Sequence, residues 1–252
     1  SCVILFGVYL LCFVIYDLRY HMAVERFRDV PDGRDRSGWF GNMFREGLPL
    51  FINAFLIMSI LNEPKMVIDT AIAQGEMSAG IQTVFNILFM PASVLNLAYI
   101  VFRPMITQMA IVWNRGENRR FLKILGKIIG YLFAISIVLM IGSALLGIPV
   151  LSIVYAVDLS AYKSELLVIM VGGCVYTFAA VLDNALVVLR RQYVLVIAYA
   201  LTWIYIKLTA AWLVGEWAVM GASLAYCTAM AVYLLLTAVL FVSSYRRKSG
   251  EV

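Results

Sequence analysis

The amino-acid sequence predicts an all-α membrane protein, a polytopic bundle of about seven transmembrane helices. Of its 252 residues, 63% are hydrophobic, and the mean hydropathy is +0.90. A soluble domain of this length does not need so much apolar surface. The apolar residues fall into long runs separated by short polar segments. These runs approach the roughly 20 residues that a helix needs to cross a hydrocarbon core about 30 Å thick.

Two of these runs, 47–61 and 80–101, are predicted to form a central helical hairpin. The first carries Pro49 in its opening turn, where a missing N–H costs nothing. The second carries Pro91 in its middle, where a proline removes a backbone hydrogen bond and kinks the helix. In a membrane, neighbouring helices or a hydrated cavity must satisfy the freed carbonyl. We therefore expect Pro91 to be a hinge in a bent, cavity-lining hairpin.

The other elements follow from the apolar and polar runs on either side of this hairpin. The chain begins within an apolar run, so 1–16 is expected to be a truncated transmembrane helix. Residues 17–46 form an arginine-rich polar loop, and 243–252 form a basic tail. The segment between them, 47–242, is expected to form a six-helix lobe. Its helices beyond the hairpin are predicted over 124–147, 166–189, 193–214 and 218–242.

The positions of lysine and arginine predict the orientation of the bundle. If the 17–46 loop is cytoplasmic and the spans alternate, nearly all of the 20 basic residues lie on the cytoplasmic side. The exceptions are Lys65, Lys163 and the intramembrane Lys207. This asymmetry follows the positive-inside rule and predicts a cytoplasmic C-terminus. The net charge of +5 therefore indicates contact with anionic membrane lipid rather than with nucleic acid.

The sequence shows no catalytic arrangement. The only histidine, His21, lies in the basic loop without a partner for acid–base chemistry. No phosphate-binding loop or nucleophile motif is present. The four cysteines lie in apolar runs without metal-ligand spacing. We therefore expect a protein that is not an enzyme and uses neither a metal nor a cofactor.

Ionisable residues at membrane depth are candidates for function, because they cost about 2.5–3.5 kcal/mol to insert and usually face a cavity or a partner. Lys207 lies in an aromatic-rich helix, and its structural alternative is to stack on Trp203 or to snorkel outward. Asp183 is a possible ion-coupling residue, with a structural role near Arg190 as the alternative. The two lie too far apart along their helices for a direct salt bridge.

The hairpin contributes further polar candidates. Arg103, at its cytoplasmic end, is either a positive-inside anchor or a bidentate contact for a phosphate group. Lys65 and Asp69 are spaced for an ion pair with each other. Three asparagines either bond between helices or line a hydrophilic path. These are Asn53, Asn86 and Asn96.

Small residues recur at four-residue spacing in two later spans, as Gly126 with Gly130 and as Gly221 with Ala225. This spacing lets helix backbones approach closely. It predicts tight helix packing at both places.

The segment 48–116 resembles bacterial polysaccharide and lipid-linked oligosaccharide flippases, which belong to the multidrug/oligosaccharidyl-lipid/polysaccharide exporter superfamily. The order and spacing of its motifs are similar to the seventh and eighth helices of that family, whereas the later spans match in hydropathy only. The residues that carry the resemblance are Leu48-Pro49-Leu50-Phe51, then Asn62, Pro64, Lys65, Ile68 and Asp69, then Leu88-Phe89-Met90-Pro91 and Phe102-Arg103-Pro104.

The resemblance implies a fold and a function. The chain would supply the second lobe of a twelve-to-fourteen-helix exporter in the bacterial inner membrane. A lipid-pyrophosphate-linked oligosaccharide repeat unit would enter a central cavity from the cytoplasm, and alternating access would expose it outside for cell-surface polysaccharide export. Arg103 and Lys207 would contact the anionic head group, and the three asparagines would line the path.

The partners implied are the lipid-linked oligosaccharide and the missing N-terminal lobe or glycan-assembly proteins. Two other functions stay open. One is an ion-coupled multidrug antiporter of the same superfamily, for which Asp183 is the coupling candidate. The other is a membrane subunit or enzyme of polysaccharide assembly.

Overall fold

The computed structural model of the protein describes residues 39–249, without the side chains of 39–46, 96–98, 248 and 249. The chain divides into two compact units, Ser1–Arg45 and Glu46–Val252. Of the first unit, only residues 39–45 are described, as the beginning of a helix. The predicted span 1–16 and most of the predicted loop 17–46 lie outside the described residues.

Residues 39–249 are helical with short turns and contain no strand, which confirms the predicted all-α class. A π-helical turn, Ser143–Gly147, joins the fourth α-helix to the fifth, and a 3-10 turn, Ser160–Tyr162, precedes the sixth. The α-helices are α1 (Trp39–Ala73), α2 (Gly80–Ile100), α3 (Arg103–Asn114), α4 (Asn118–Gly142), α5 (Ile148–Tyr155), α6 (Lys163–Val188) and α7 (Gln192–Ser249).

Four segments of the described chain are long and apolar enough to cross a membrane, and they indicate a membrane protein. Helix α2, which corresponds to the predicted span 80–101, is not among them; the apolar stretch found within it is Gly80–Leu95. The predicted count of about seven spans is therefore not confirmed. The four segments are Gly47–Ala73, Asn118–Tyr155, Ser160–Val188 and Gln192–Arg247.

Helix α1 runs past its predicted end. The sequence predicts a span at 47–61 followed by a polar link, whereas α1 continues through Pro64 to Ala73. A proline removes one N–H from the helical ladder, but packing can hold the helix around it. Ile60 and Ile68, on either side of the proline, are both fully buried. Most of the predicted link is therefore the last three turns of α1.

Helix α4 also continues beyond a predicted end. The sequence ends the span 124–147 before Pro149, whereas the helical path passes through the π-turn into α5 and reaches Tyr155. A π-turn widens the backbone where the ring of a proline would otherwise clash with the preceding turn. Ala156, with a left-handed φ of 53°, then ends the helix.

Helix α7 folds into a hairpin of two arms, 192–216 and 219–249. Trp217 and Ala218 have non-helical dihedral angles, and Ala218 has a φ of 47°. The reversal lies between the last two predicted spans, so their boundary agrees with the structure. Each arm has 25 residues or more and would be about 37 Å long or longer as a straight helix.

Close contacts across this hairpin show that its arms are antiparallel. The rings of Tyr199 and Tyr233 are stacked with centroids 4.8 Å apart. At the tip, a Cβ at Gly221 would lie 1.9 Å from the Leu213 carbonyl oxygen. Only glycine fits there, so the predicted close approach at Gly221 is confirmed.

Helix α6 lies at the centre of the bundle and packs against α2, α4 and α7. Two adjacent glycines in its middle face different neighbours. A Cβ at Gly172 would lie 2.6 Å from the Tyr226 ring and 3.1 Å from the Cys227 Cα of α7. A Cβ at Gly173 would lie 3.0 Å from the Ala92 Cβ of α2. The absence of both side chains therefore sets the distance from α6 to α7 and α2.

The predicted packing role of Gly126 and Gly130 is not what the structure shows. Both are exposed, and no atom lies within 4 Å of a Cβ built at either position. The four-residue spacing is present, but it lies on an outward face of α4. The close approach instead uses adjacent glycines, a pattern without that spacing.

Several turns between consecutive helices and the end of α7 meet at one end of the bundle, as the ring contacts and the helix directions show. Tyr245 of α7 lies 6.3 Å from the Phe121 ring of α4 and 6.1 Å from the Trp113 ring of α3, between centroids. The end of α7 therefore lies beside the α3–α4 turn. Helix α4 runs antiparallel to α6. A Cβ at Gly147, just after α4, would lie 2.7 Å from Leu166 near the start of α6, whereas the Phe133 ring of α4 lies 6.4 Å from the Phe178 ring, later in α6.

The α6–α7 turn therefore also lies at this end, which we call the basic end. Helix α2 runs parallel with α6, since Ala92 lies beside Gly173 and the Tyr99 hydroxyl donates to the Ala180 carbonyl at 3.4 Å. The end of α2 joins the same group. The cations of the basic end are Arg103, Arg115, Arg119, Arg120, Lys123, Arg190, Arg191, Arg246 and Arg247.

Substitution of the central glycines tests this packing. We expect Gly172→Ala to lower the free energy of unfolding by about 1–3 kcal/mol, because the new methyl group overpacks the α6–α7 contact. Thermal unfolding of the purified chain in detergent, followed by tryptophan fluorescence, measures the loss. Gly126→Ala, on an open helix face, is the matched control and should not lower stability. Equal behaviour of the two variants would contradict the packing described here.

Candidate functional site

Two groups of polar side chains lie within the helical bundle. One group joins α1 to the first arm of α7, and the other surrounds Asp183 between α6 and the two arms of α7. Polar and charged groups in hydrocarbon are costly unless they are partnered, so their position and partners point to function.

Lys207 forms an ion pair with Glu63 of α1. Its Nζ lies 2.7 Å from Glu63 Oε2, although the approach lies outside hydrogen-bond angles, so the contact is electrostatic. The Glu63 side chain is only 6% exposed, whereas that of Lys207 is 40% exposed. Lys207 Nζ also lies 5.8 Å from the centre of the Trp203 ring, the stacking that the sequence suggested.

Two weaker polar contacts continue the line between α1 and α7. The Trp203 indole N–H donates to Ser59 Oγ at 2.9 Å. The amide of Asn53 donates to the Gln192 carbonyl at 3.4 Å, and its buried Oδ1 has no hydrogen-bond partner in the described chain. We call the contacts of Asn53, Ser59 and Glu63 with α7 the polar seam. Their order shows that α1 and the first arm of α7 run parallel.

Asp183 is held by tyrosines. Both the Tyr199 and the Tyr233 hydroxyl groups donate to its Oδ2, Tyr233 at 3.2 Å. The side-chain amide of the neighbouring Asn184 donates a hydrogen bond to the Ala180 carbonyl at 2.8 Å. The same carbonyl also accepts a hydrogen bond from the Tyr99 hydroxyl. A carboxylate with two hydroxyl donors from two different helical arms is satisfied without a cation. The expected proximity to Arg190 is not how Asp183 is partnered.

Several hairpin residues are separate from both groups. Arg103 is exposed in the first turn of α3 at the basic end. Lys207 lies 15 residues beyond Gln192, about 22 Å along the helix from that end, so the two predicted head-group contacts are not brought together. Asn86 is half-buried on α2, and its side chain makes no hydrogen bond in the described chain. The side chain of Asn96 lies outside the described residues.

Pro91 lies inside α2, which remains helical on both sides of it. It borders an apolar groove of about 350 Å³ together with Leu139, Gly142 and other residues of α4 and α5. The hinge role assigned to Pro91 stays a prediction.

The expected pair between Lys65 and Asp69 is wrong. Lys65 Nζ instead lies 4.8 Å from the centre of the Phe89 ring of α2. Within the described residues, the ion pairs are Lys207 with Glu63 and Arg120 with Glu117. An aromatic ring thus replaces the carboxylate as the partner of this cation.

Comparison of the chain with protein-family models, with curated proteins and with solved structures returned no match. No group of three or more His, Cys, Asp or Glu side chains that could hold a metal ion occurs among the described residues. The features of the described chain that bear on function are the polar seam, Asp183 and the charges of the basic end.

Sequence reasoning missed Glu63 and the tyrosine partners of Asp183. Glu63 had a usable signal, because it precedes a proline within a helix-compatible run and lies i, i+4 from Ser59. The sequence analysis instead places Glu63 in a polar link that follows the span 47–61. Tyr199 and Tyr233 had no local signal, since their contact with Asp183 depends on the α7 hairpin.

Breaking the seam tests its ion pair. We expect Lys207→Met to lower the free energy of unfolding by about 1–3 kcal/mol, because it leaves Glu63 buried without a counter-charge; the value lies below that of a fully buried pair since Lys207 is partly exposed. The double variant Glu63→Gln/Lys207→Met should recover part of this loss. Denaturant unfolding in detergent measures both. Lys163→Met, on an exposed lysine, is the control, and additive losses in the double variant would contradict the pairing.

Proposed function

We propose that the chain is the second lobe of a membrane transporter that translocates a lipid-pyrophosphate-linked oligosaccharide repeat unit across the bacterial inner membrane. The observation that supports a carrier is the polar seam, where a carboxylate and an ammonium group meet between two apolar helices. A helix that only anchors a protein has no use for such a pair, which costs desolvation energy on both sides.

The exposure of the two partners suggests how the pair serves transport. The Glu63 side chain is enclosed, whereas the Lys207 side chain is partly exposed. An anionic head group that reaches Lys207 competes with Glu63 for the same cation. Binding then loosens α1 from α7, and a lobe movement follows from the exchange of one charge partner for another. No covalent step is required.

In this proposal the chain is oriented in the membrane with its basic end and its C-terminus on the cytoplasmic side. Arg103 is then exposed where a pyrophosphate group arrives, and its guanidinium can bind two phosphate oxygens at once. The helix α3 that Arg103 begins is 12 residues long, about 18 Å. It is too short to cross a bilayer and suits the membrane surface.

Measurement of glycan export in cells that carry variants of the protein tests the proposal. We expect Arg103→Ala to lower surface glycan about tenfold or more at unchanged protein level, because a lost charge-assisted contact costs about 1.5–3 kcal/mol. Lipid-linked oligosaccharide should accumulate on the cytoplasmic side. Surface labelling and quantitative lipid extraction measure the two pools.

Arg115→Ala provides the matched control, since it removes an exposed arginine from the same basic end. It should leave export unchanged. If Arg103→Ala exports normally, or if both variants fail to the same degree, Arg103 has no specific contact with the head group.

Ion-coupled multidrug antiport is the second candidate, and the geometry of Asp183 is the observation in its favour. A carboxylate enclosed by two tyrosine hydroxyls from separate arms can exchange a proton or bind a cation as the arms move. Under this alternative the coupling is local to α6 and α7 and does not involve the seam.

Efflux assays separate the two candidates. If the chain is an antiporter, Asp183→Asn should abolish ethidium efflux driven by a proton or sodium gradient, because the neutral amide cannot carry the exchange. Asp158→Asn, in an exposed turn, should have no effect. Unchanged ethidium efflux in Asp183→Asn, with glycan export still dependent on Arg103, would rule out the antiporter.

A further inference from the structure

A basic groove lies between α3 and the beginning of α4. It has a volume of about 510 Å³, and four of its six lining side chains are cations. Gln108 of α3 and Ile124 of α4 complete the lining. The cations are Arg119, Arg120, Lys123 and Lys127.

The cations repel one another, and the described chain offers them little compensation. Arg119, Lys123 and Lys127 recur every four residues, a spacing at which like charges destabilise a helix. Arg120 pairs with Glu117 at 3.2 Å, an exposed contact, and no other described carboxylate lies within 4.0 Å of the four. This part of α4 therefore carries an excess of about three positive charges on adjoining turns.

The position of these charges on the helix adds to the cost. Arg119 and Arg120 lie in the first turn of α4, where the helix dipole already contributes partial positive charge, and Lys123 and Lys127 follow in the next two turns. The first turn holds no acidic residue, and Glu117 at the N-cap makes no side-chain capping bond. An anion from outside the chain relieves both the repulsion and the dipole.

The groove also lies next to an apolar helix surface. Helix α4 belongs to the candidate membrane span Asn118–Tyr155, and only 6% of the most apolar window of this span is buried inside the structure. On the other side, α3 buries Met109 and Val112 against the bundle and exposes Gln108. A ligand in the groove thus has cations at one end and an outward apolar surface directly beyond them.

We infer that this groove binds the phosphate group of an acidic membrane lipid, whose acyl chains lie along the exposed face of α4. A lipid fits both parts of the site, because its head group is anionic and its tails are apolar. Inorganic phosphate would contact only the cations of the groove and would leave the apolar face of α4 uncovered. The bound lipid fixes α3 against α4 and stabilises the basic end at the membrane surface.

Native mass spectrometry of the full chain released from mixed micelles tests this site. The probe lipids are phosphatidylglycerol and phosphatidylcholine, added in equal amounts. We expect the chain to retain more phosphatidylglycerol than phosphatidylcholine. In the double variant Lys123→Gln/Lys127→Gln, the ratio of retained phosphatidylglycerol to phosphatidylcholine should fall about fivefold for each cation removed. Lys123→Arg/Lys127→Arg should keep the original ratio. Added inorganic phosphate at millimolar concentration should not displace the lipid.

Arg246→Gln/Arg247→Gln is the matched control, since it removes the same charge from exposed positions elsewhere at the basic end. It should retain phosphatidylglycerol as the unchanged chain does. Equal loss in both double variants would reduce the effect to general charge, and displacement by inorganic phosphate would assign the groove to a free anion. Either result overturns the inference. Circular dichroism of each variant confirms that the helices are intact.

Discussion

The close approach of α6 to its two neighbours is the constraint on which the bundle depends. At Gly172 and Gly173 the backbone of one helix meets a tyrosine of α7 on one side and an alanine of α2 on the other. In an apolar solvent, helices gain little from burying more apolar surface, so close contact through small residues must supply the attraction. The same contact positions α6 so that Asp183, three turns farther on, reaches both arms of the α7 hairpin. The buried carboxylate and the glycine contact are therefore parts of one arrangement.

The two polar groups differ in how firmly they are held. Asp183 has two hydroxyl donors, and both come from α7, which also makes the most extensive contacts with α6. The polar seam consists instead of one electrostatic contact, one indole hydrogen bond and one long amide contact. With Lys207 partly exposed and Asn53 Oδ1 unpartnered, the seam is the less firmly held of the two groups, and under the proposed transport function we expect a ligand to open it first. Movement is thus expected between α1 and α7 rather than within the α6–α7 core.

Much of the fold could be predicted from the sequence, because membrane-length apolar runs allow few structures other than helices. The reversal at Trp217 and Ala218 was also predictable from the break in the apolar run. Pro149 was misleading: a proline ends most helices in water, but the helical path continues through Pro149 because a π-turn precedes it. The spacing of Gly126 and Gly130 was equally misleading, since a pattern within one helix does not say which face meets a neighbour. The site was less predictable, because its partners meet only through tertiary packing. Glu63 lies 144 residues from Lys207 along the chain, and the two tyrosines lie 16 and 50 residues from Asp183.

The cations of the basic end have two different roles, membrane orientation and the proposed lipid binding. A count of lysine and arginine residues along the sequence does not distinguish these roles. A positive-inside signal needs only cations near the ends of spans, and their exact side of a helix is immaterial. Arg246 and Arg247 satisfy that requirement at an exposed helix end. Arg119, Lys123 and Lys127 do more, because their four-residue spacing concentrates like charges along one groove, beginning in the first turn of α4, where cations are least favourable. Orientation alone does not account for that arrangement, whereas an anionic head group beside an exposed apolar helix does.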